Sequence, residues 1–350
     1  MEKQIRIGNK NVGNNCPVFI IAEMSANHLL DFERAVKIIE QAKKCGVDAI
    51  KLQTYTPDTM TIDCDKSYFH INQGTIWDGT TLYKLYQSAY TPWEWQPKLK
   101  GIAEELGLIC FSSPFDDTSV DFLEKLNVPA YKVASFEITD IPLIRKIAKL
   151  NKPVILSTGI AQIEDIERAI QVCMEEENNQ VILLKCASAY PTPYEDMNLK
   201  TISNMKETFG CITGLSDHTM GTATAVAAVA MGAKVIEKHL TLSRKDGGPD
   251  GMFSMEPDEL KKLVDEIRIV EKAMGDVKYE LTSKQKKNRE HSRSLFVIRD
   301  MKQGECFTVD NVRSIRPGFG MHPMYFENIL GKRAKIDIEK GSPLSWELIN

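Results

Sequence analysis

From residue 18 to residue 275 the chain alternates, eight times over, between a short apolar run and an amphipathic helical pattern. Strands covered on both faces read as near-continuous apolar runs, and apolar stripes of period 3.6 mark the helices that cover them. The runs are VFIIAEMS (18–25), AIKLQTY (49–55), LICFSSP (108–114), AYKVASFE (130–137), PVILSTG (153–159) and VILLKCASAY (181–190), with two more beginning at Cys211 and Lys234. After the first run, Phe32, Ala35, Val36, Ile39 and Ala42 share one helical face that stops at Gly46. The last helix starts near Pro257 and carries Leu260, Leu263, Val264, Ile267 and Val270. Eight strand-helix units predict an α/β fold, a (β/α)8 TIM barrel, with its active site at the carboxyl ends of the strands. A doubly wound open sheet is the alternative. It lacks support, because no Gly-x-Gly-x-x-Gly follows the first strand and polar residues recur at every strand end, not at one switch point.

Two stretches break the alternation. A long polar connection runs from the second strand to about Tyr90 and holds Trp77, Tyr83 and Tyr86; insertions of this length in a compact domain are usually functional. Thr91, Pro92 and Glu94 then predict a capping box and a helix running to Gly107. After Gly275 the composition turns lysine-rich, which predicts a linker over 277–290 between a barrel domain of 1–276 and a terminal domain of 291–350. Within the latter, IRDMKQGECFTVDNV and KIDIEKGSPLSWELI align through Gly304 and Gly341, Asp300 with Asp337 and Met301 with Ile338. This is the pattern of a small β-rich domain with internal pseudo-symmetry, too small to build much core by itself.

The net charge of -4 excludes a generally basic, nucleic-acid-type surface, so an anionic substrate must be met by local lysines or arginines. Eight cysteines lie singly, without a Cys-x-x-Cys, as expected of reduced thiols in a cytoplasmic protein. The polar start has no signal-peptide core, and the small-apolar run from Ala223 to Ala233 is too short to span a bilayer.

The strand ends supply the candidate chemistry. Gly214, Ser216 and His218 share one strand face, as do Val235, Glu237 and His239, so two histidines converge at one rim if these strands are parallel neighbours. There they could hold a divalent metal with open positions. The other ends give Glu23, Asn27 and His28, Lys51 and Gln53, Ser112 and Ser113, Lys132, Ser135 and Glu137, Ser157 and Thr158, Ser188 and Tyr190, and Asp217. Hydroxyl and ammonium groups in this number make an anion site, suited to phosphate and carboxylate oxygens. Each serine beside Pro114 or Gly159 also serves as a turn former, and the carboxylates as structural ion-pair partners. Strict alternation puts Lys132 on the face opposite Ser135 and Glu137, pointing to the helices unless a bulge re-aims it. DGGPD (246–250) is a glycine-rich loop suited to covering a substrate.

The motifs AEMSANH, AIKLQTY, FSSPF, AYKVASFE, ILSTGI, LKCASAYPTPYEDMNL, GLSDHT, IEKHLT, GGPD and RPGFG, in this order, resemble those of the sialic acid synthase family. The terminal domain resembles that family's antifreeze-protein-like (SAF) module. The resemblance implies condensation of phosphoenolpyruvate with the open-chain aldehyde of an amino sugar, giving a nine-carbon 2-keto acid and phosphate. SANH, IWDGTTLYKLYQSAYTPWEW and FSMEP look most like the branch that uses 2,4-diacetamido-2,4,6-trideoxy-L-altrose, with the N-acetylneuraminate and legionaminic acid branches as alternatives.

By the same resemblance His218 and His239 hold a divalent metal, manganese first, with magnesium or cobalt as substitutes. Lys51, Ser113, Lys132, Ser135, Ser157, Ser188 and Ser216 hold phosphoenolpyruvate. Glu137 orients or deprotonates the water that adds at carbon 2, while Glu23, Asn27, Gln53, Tyr190 and Asp250 position the sugar. Arg316, from the terminal domain of a partner subunit in a domain-swapped homodimer, reaches the sugar's N-acetyl group. Ser188 and Phe136 depart from the Asn and Gly of N-acetylmannosamine-using members, which points to a different sugar. A metal-dependent pyruvate lyase is the alternative enzyme class, but it needs no phosphate-binding serines. A sugar-binding module without turnover has no use for two metal ligands.

Overall fold

The computed structural model describes residues 4–72 and 74–350 and falls into two units, Met1–Gly275 and Asp276–Asn350. The first opens with a hairpin absent from the sequence reading, β1 (Gln4–Ile7) antiparallel to β2 (Lys10–Gly13). Its Ile5, Ile7 and Val12 are buried in one cluster with Phe19, Ile21 and Ile109, at the amino-terminal end of the strands that follow. Burying side chains of this size contributes about 1.5–3 kcal/mol each, so the hairpin is a plug for the bottom of the unit.

The next eight strands close on themselves, all parallel: β3 (Phe19–Glu23), β4 (Ala49–Thr54), β5 (Ile109–Pro114), β6 (Tyr131–Val133), β7 (Val154–Ser157), β8 (Val181–Lys185), β9 (Ile212–Asp217) and β10 (Val235–His239). The last pairs with the first, in a register that sets His239 beside Glu23. This is the predicted TIM barrel. Its strands divide their residues by period two: Phe19, Ile21, Ala49 and Val235 join one apolar cluster, while Ile20, Ala22, Ile50 and Ile236 join another with the helices Phe32–Cys45 and Pro257–Met274. Gly214 of β9 belongs to the close-packed part. A Cβ there would lie 2.3 Å from the Val235 carbonyl oxygen and 2.7 Å from Leu184 Cδ2.

Two local expectations are corrected. The helix placed at Thr91 begins at Gln96, after a single 3-10 turn over Trp93–Trp95, and Thr91 caps nothing. Its hydroxyl instead meets His28 Nε2 at 3.1 Å, a buried tertiary partner that competes with the local capping bond. The fourth strand is three residues long, and Ser135–Glu137 form a 3-10 turn. Alternation therefore stops at Val133.

In the second unit β11 (Ser294–Val297) pairs antiparallel with β12 (Val312–Ile315) over a core of Leu295, Val297, Phe307, Val312, Ile329 and Leu344. The internal repeat is real and reciprocal. Met301 and Ile338 exchange backbone hydrogen bonds of 2.8 and 2.9 Å, Asp337 Oδ1 accepts from the Gln303 amide, and Asp300 Oδ1 accepts from the Lys340 amide. The lysine-rich stretch contains a short helix, Ser283–Asn288, capped by Thr282. Among the described residues no helix is long and apolar enough to cross a membrane, and all eight cysteines are free thiols.

Candidate active site

Parallel strands of a closed barrel deliver their carboxyl-terminal side chains to one mouth, and here the delivery is polar and layered. In the deeper layer Lys51 of β4 places Nζ 2.5 Å from Glu23 Oε2 of β3 and 3.2 Å from Glu237 Oε1 of β10. Lys132 of β6 lies 4.0 Å from the same Glu237 oxygen and donates to Ser157 Oγ at 2.7 Å. Ser216 Oγ donates to Glu237 at 3.0 Å, and Gln53 Nε2 to Glu23 Oε1 at 2.9 Å. All four charged groups are buried. Lys132 thus faces the barrel interior, against the alternation argument. The strand ends before Ser135, so the parity of Ser135 and Glu137 says nothing about Lys132, while its neighbour Tyr131 turns outward to Glu124.

Burial opposes every charge in this layer, and the neighbours decide the outcome. For Glu237, Lys132 and Lys51 outweigh burial and hold the carboxyl below its ordinary range. For Lys51, Glu23 and Glu237 outweigh it and raise the ammonium. At Glu23 burial, helped by the charge of Glu237, prevails over the nearby lysine and raises the carboxyl. Burial likewise lowers Lys132.

The mouth as a whole is under-satisfied. Ser113 Oγ, Ser188 Oγ, Glu137 Oε2, Glu237 Oε2, His239 Nδ1 and Asn27 Oδ1 are buried without a hydrogen-bond partner. Buried polar atoms are ordinarily paired, so such a concentration at one mouth leaves hydrogen-bonding capacity that a ligand's polar groups could fill. Around Gly159 the backbone itself lines the mouth. Its amide donates to Ser135 Oγ at 3.1 Å, and a Cβ at this position would lie 2.1 Å from Ser188 Oγ and 2.7 Å from Ser135 Oγ. Burial pushes the Glu137 carboxyl up to about 7, against the pull of Lys132.

His218 and His239 meet as expected, with ring centroids 5.1 Å apart. His239 is held well below the ordinary imidazole range by burial and by His218, leaving a neutral ring whose Nδ1 is unpartnered. His239 Nε2 is 3.8 Å from Glu23 Oε2, and His218 Nδ1 is 3.4 Å from the Ala187 carbonyl oxygen. Among the described residues no three His, Cys, Asp or Glu side chains form a metal cage. Two adjacent imidazoles tilted 56° to each other, one with an orphaned nitrogen, fit an ion whose remaining positions go to water or substrate.

The other expected residues divide. Tyr190 sits over His218 at 4.5 Å between centroids. Asn27 donates to Ser254 Oγ at 2.9 Å, and the Asp250 carboxylate accepts from Ser25 Oγ and the Ala26 amide, bracing the loop after β3. His28, Ser112, Thr158 and Asp217 are structural: they bond Thr91, Thr54, the Leu184 carbonyl and Lys238 respectively. Arg316 belongs to the second unit, exposed just after β12. Two members of the site had no assigned role from sequence: Glu237, which bridges the lysines, and Cys186, whose Sγ is 3.8 Å from His218 Nδ1. Extending the inward parity of Leu184 by two residues reaches Cys186, which is the signal that could have found it.

The family model described as the NeuB family matches residues 38–279, and that of the SAF domain matches 292–350. The chain is 49% identical, over 97% of its length and 98% of the relative's, to a pseudaminic acid synthase of Campylobacter jejuni. It is 43% identical to a pseudaminic acid synthase of Helicobacter pylori, over 94% of this chain and 97% of that one. Among solved structures it resembles an N-acetylneuraminic acid synthetase of Leptospira borgpetersenii with a TM-score of 0.74 and 32% identity, covering 82% of this chain and 95% of that one.

Proposed function

The chain belongs to the NeuB family, and on that premise we propose that it condenses phosphoenolpyruvate with 2,4-diacetamido-2,4,6-trideoxy-L-altrose to give pseudaminic acid and phosphate. The observation that carries this reading is the joining, in one barrel mouth, of an adjacent imidazole pair to a lysine and serine cradle with unsatisfied hydroxyls. Near-full-length likeness to two pseudaminic acid synthases selects the sugar.

Lys51, Lys132, Ser113, Ser135, Ser157, Ser188 and Ser216 take the phosphate and carboxylate of phosphoenolpyruvate, and the Gly159 region gives the cradle its shape. Carbon 3 of phosphoenolpyruvate forms the new bond to the aldehyde carbon, whose oxygen becomes a hydroxyl. Positive charge then sits at carbon 2, and water adds there. Glu137, poised by burial near neutrality, takes one proton of the water, matching the one the aldehyde oxygen gains, and the other leaves with the phosphate as the carbon 2 hydroxyl becomes the ketone. Carbon-oxygen cleavage releases phosphate and leaves the 2-keto acid. Glu23, with Gln53 on its other oxygen, faces the sugar. A divalent ion on His218 and His239, manganese first, would polarise the aldehyde oxygen.

A second copy of the chain completes the site in this reading. Exposed apolar side chains recur on the loops at the barrel mouth, Leu30, Phe136, Ile160, Tyr194, Met220 and Met252 among them, as on surfaces that meet a partner. Arg316 of the second copy would then address a sugar acetamido group. Eight free thiols support a reducing, cytoplasmic setting.

The deciding experiment is phosphate release from phosphoenolpyruvate with manganese, comparing the diacetamido-trideoxy altrose with N-acetylmannosamine and identifying the nine-carbon acid by mass spectrometry. Turnover of the altrose derivative supports the reading; turnover of N-acetylmannosamine alone overturns the assigned sugar.

A further inference from the structure

Above the ionic layer the mouth changes character and becomes aromatic. Tyr190, on the loop after β8, packs on His218 and lies 5.1 Å from Phe253, which follows β10. Phe253 in turn lies 5.0 Å from His239. The third wall comes from the long connection after β4. Trp77 sits 5.4 Å from Tyr190 between ring centroids, and its indole nitrogen donates to the Pro249 carbonyl oxygen at 2.9 Å.

That placement is built, not incidental. Asp78 closes the turn before Trp77 by accepting from the Gly74 and Thr75 amides, and Ile71 exchanges backbone bonds with Thr80 and Gly79 below it. The indole nitrogen is then tied to the loop that carries Asp250. One edge of the ring is spent on this anchor, which leaves the face to meet a ligand. Trp77 is partly exposed, as a wall of a ligand site must be.

We infer that Trp77 is a specificity-determining residue of this site, its indole face receiving the methyl-bearing, C4-acetamido end of the sugar. The inference rests on the reading under Proposed function and goes beyond it. With the aldehyde end at the imidazole pair, a six-carbon chain leading outward brings carbons 4 to 6 to the aromatic wall. In the diacetamido-trideoxy sugar that end carries a methyl and an acetamido group. In N-acetylmannosamine the same positions carry hydroxyls, which an indole face cannot pair. Apolar walls discriminate a methyl or hydroxyl change only modestly, by about 10- to 100-fold, so the wall sets preference while the polar cradle sets chemistry.

The test uses full-length enzyme with manganese and the variants W77A and W77F, followed by phosphate release and by sugar-dependent quenching of indole fluorescence. W77A should lose about 10- to 100-fold in kcat/KM for the diacetamido sugar, chiefly through its KM, with the phosphoenolpyruvate KM within about 2-fold. Its preference over N-acetylmannosamine should fall by the same factor. W77F keeps an aromatic face and loses the bond to Pro249, so it should retain most of the preference while losing the sugar-dependent quench. If Trp77 only braces the Pro249 loop, both variants would lower turnover of both sugars alike and raise the phosphoenolpyruvate KM, which overturns the inference. An unchanged sugar KM in W77A overturns it too. A wild-type enzyme that ignores the diacetamido sugar overturns the underlying reading and the inference together, and that result is read before any variant is made.

Discussion

Lys51 Nζ lies 3.2 Å from Glu237 Oε1, across the first strand of the closed barrel, with both side chains buried. Glu237 is the shared counter-charge of two lysines, and its second oxygen has no partner. The proposed cradle is therefore organised around a carboxylate. In the proposed reaction an entering phosphate would compete with Glu237 for the same ammonium groups.

Replacing Glu237 by glutamine should strand two buried lysines without their charge partner. Removing one member of a buried pair typically costs about 3 kcal/mol or more. Thermal melts should show a lowered Tm for E237Q, with phosphoenolpyruvate restoring more of it than it adds to the wild type. Equal melting of the two proteins would show that the network does not need this carboxylate.

Glu137 should impose a pH dependence. Its carboxyl, ordinarily at 4.5, is raised to about 7 by burial. Below that value it is protonated and useless as a base, so kcat/KM should rise as pH climbs through about 7. E137Q should lose about 10²- to 10⁴-fold in kcat with phosphoenolpyruvate binding retained. Stability moves the other way. The folded protein binds more protons than the unfolded one between 4.5 and about 7, so this group's contribution is present below 4.5 and is lost as pH rises through 7. E137Q should flatten that slope in a pH series of denaturant melts.

His239→Ala should abolish manganese binding measured by calorimetry, and turnover with it, while the Tm stays within a few degrees. Removal of metal from the wild type by a chelator should give the same loss, reversed by adding manganese. Full activity of the variant would dismiss the imidazole pair as ligands.

Gly159→Ala should damage phosphoenolpyruvate binding selectively. The added methyl would sit 2.1 Å from Ser188 Oγ and 2.7 Å from Ser135 Oγ, forcing both hydroxyls out of the cradle. Displacements of this order cost about 100-fold in catalysis. Steady-state kinetics should show the phosphoenolpyruvate KM rising well above the sugar KM, and a parallel rise in both would place the cradle elsewhere.

Arg316→Ala should raise the sugar KM far more than that of phosphoenolpyruvate, and light scattering should find the wild type dimeric. A monomeric, fully active protein would remove Arg316 and the second copy from the site.

The barrel was legible because its signal is local. Period-two and period-3.6 patterns repeat within each strand and helix, and polar residues at successive strand ends can be marked without knowing which strands touch. His218, His239, Ser216 and Glu237 were correctly placed on shared faces for that reason. The hairpin of residues 4–13 escaped because its strands are four residues each and its apolar positions are sparse. Thr91 carried a sound capping pattern, but a buried histidine claimed its hydroxyl.

The sequence by itself determined the layers: which residues lie in strands, where each strand nears its end, and that the ends are rich in hydroxyl, amine, imidazole and carboxylate groups. Only the tertiary structure decided how those groups combine. Closure of β10 onto β3 set His239 beside Glu23 and brought Glu237 to Lys51, pairs that no spacing along the chain encodes. The early end of β6 freed Lys132 from the parity of Ser135, and the loops after β4, β8 and β10 met as one aromatic wall. Side-chain parity is a property of one strand, whereas the partners a buried charge finds depend on where closure places the other strands.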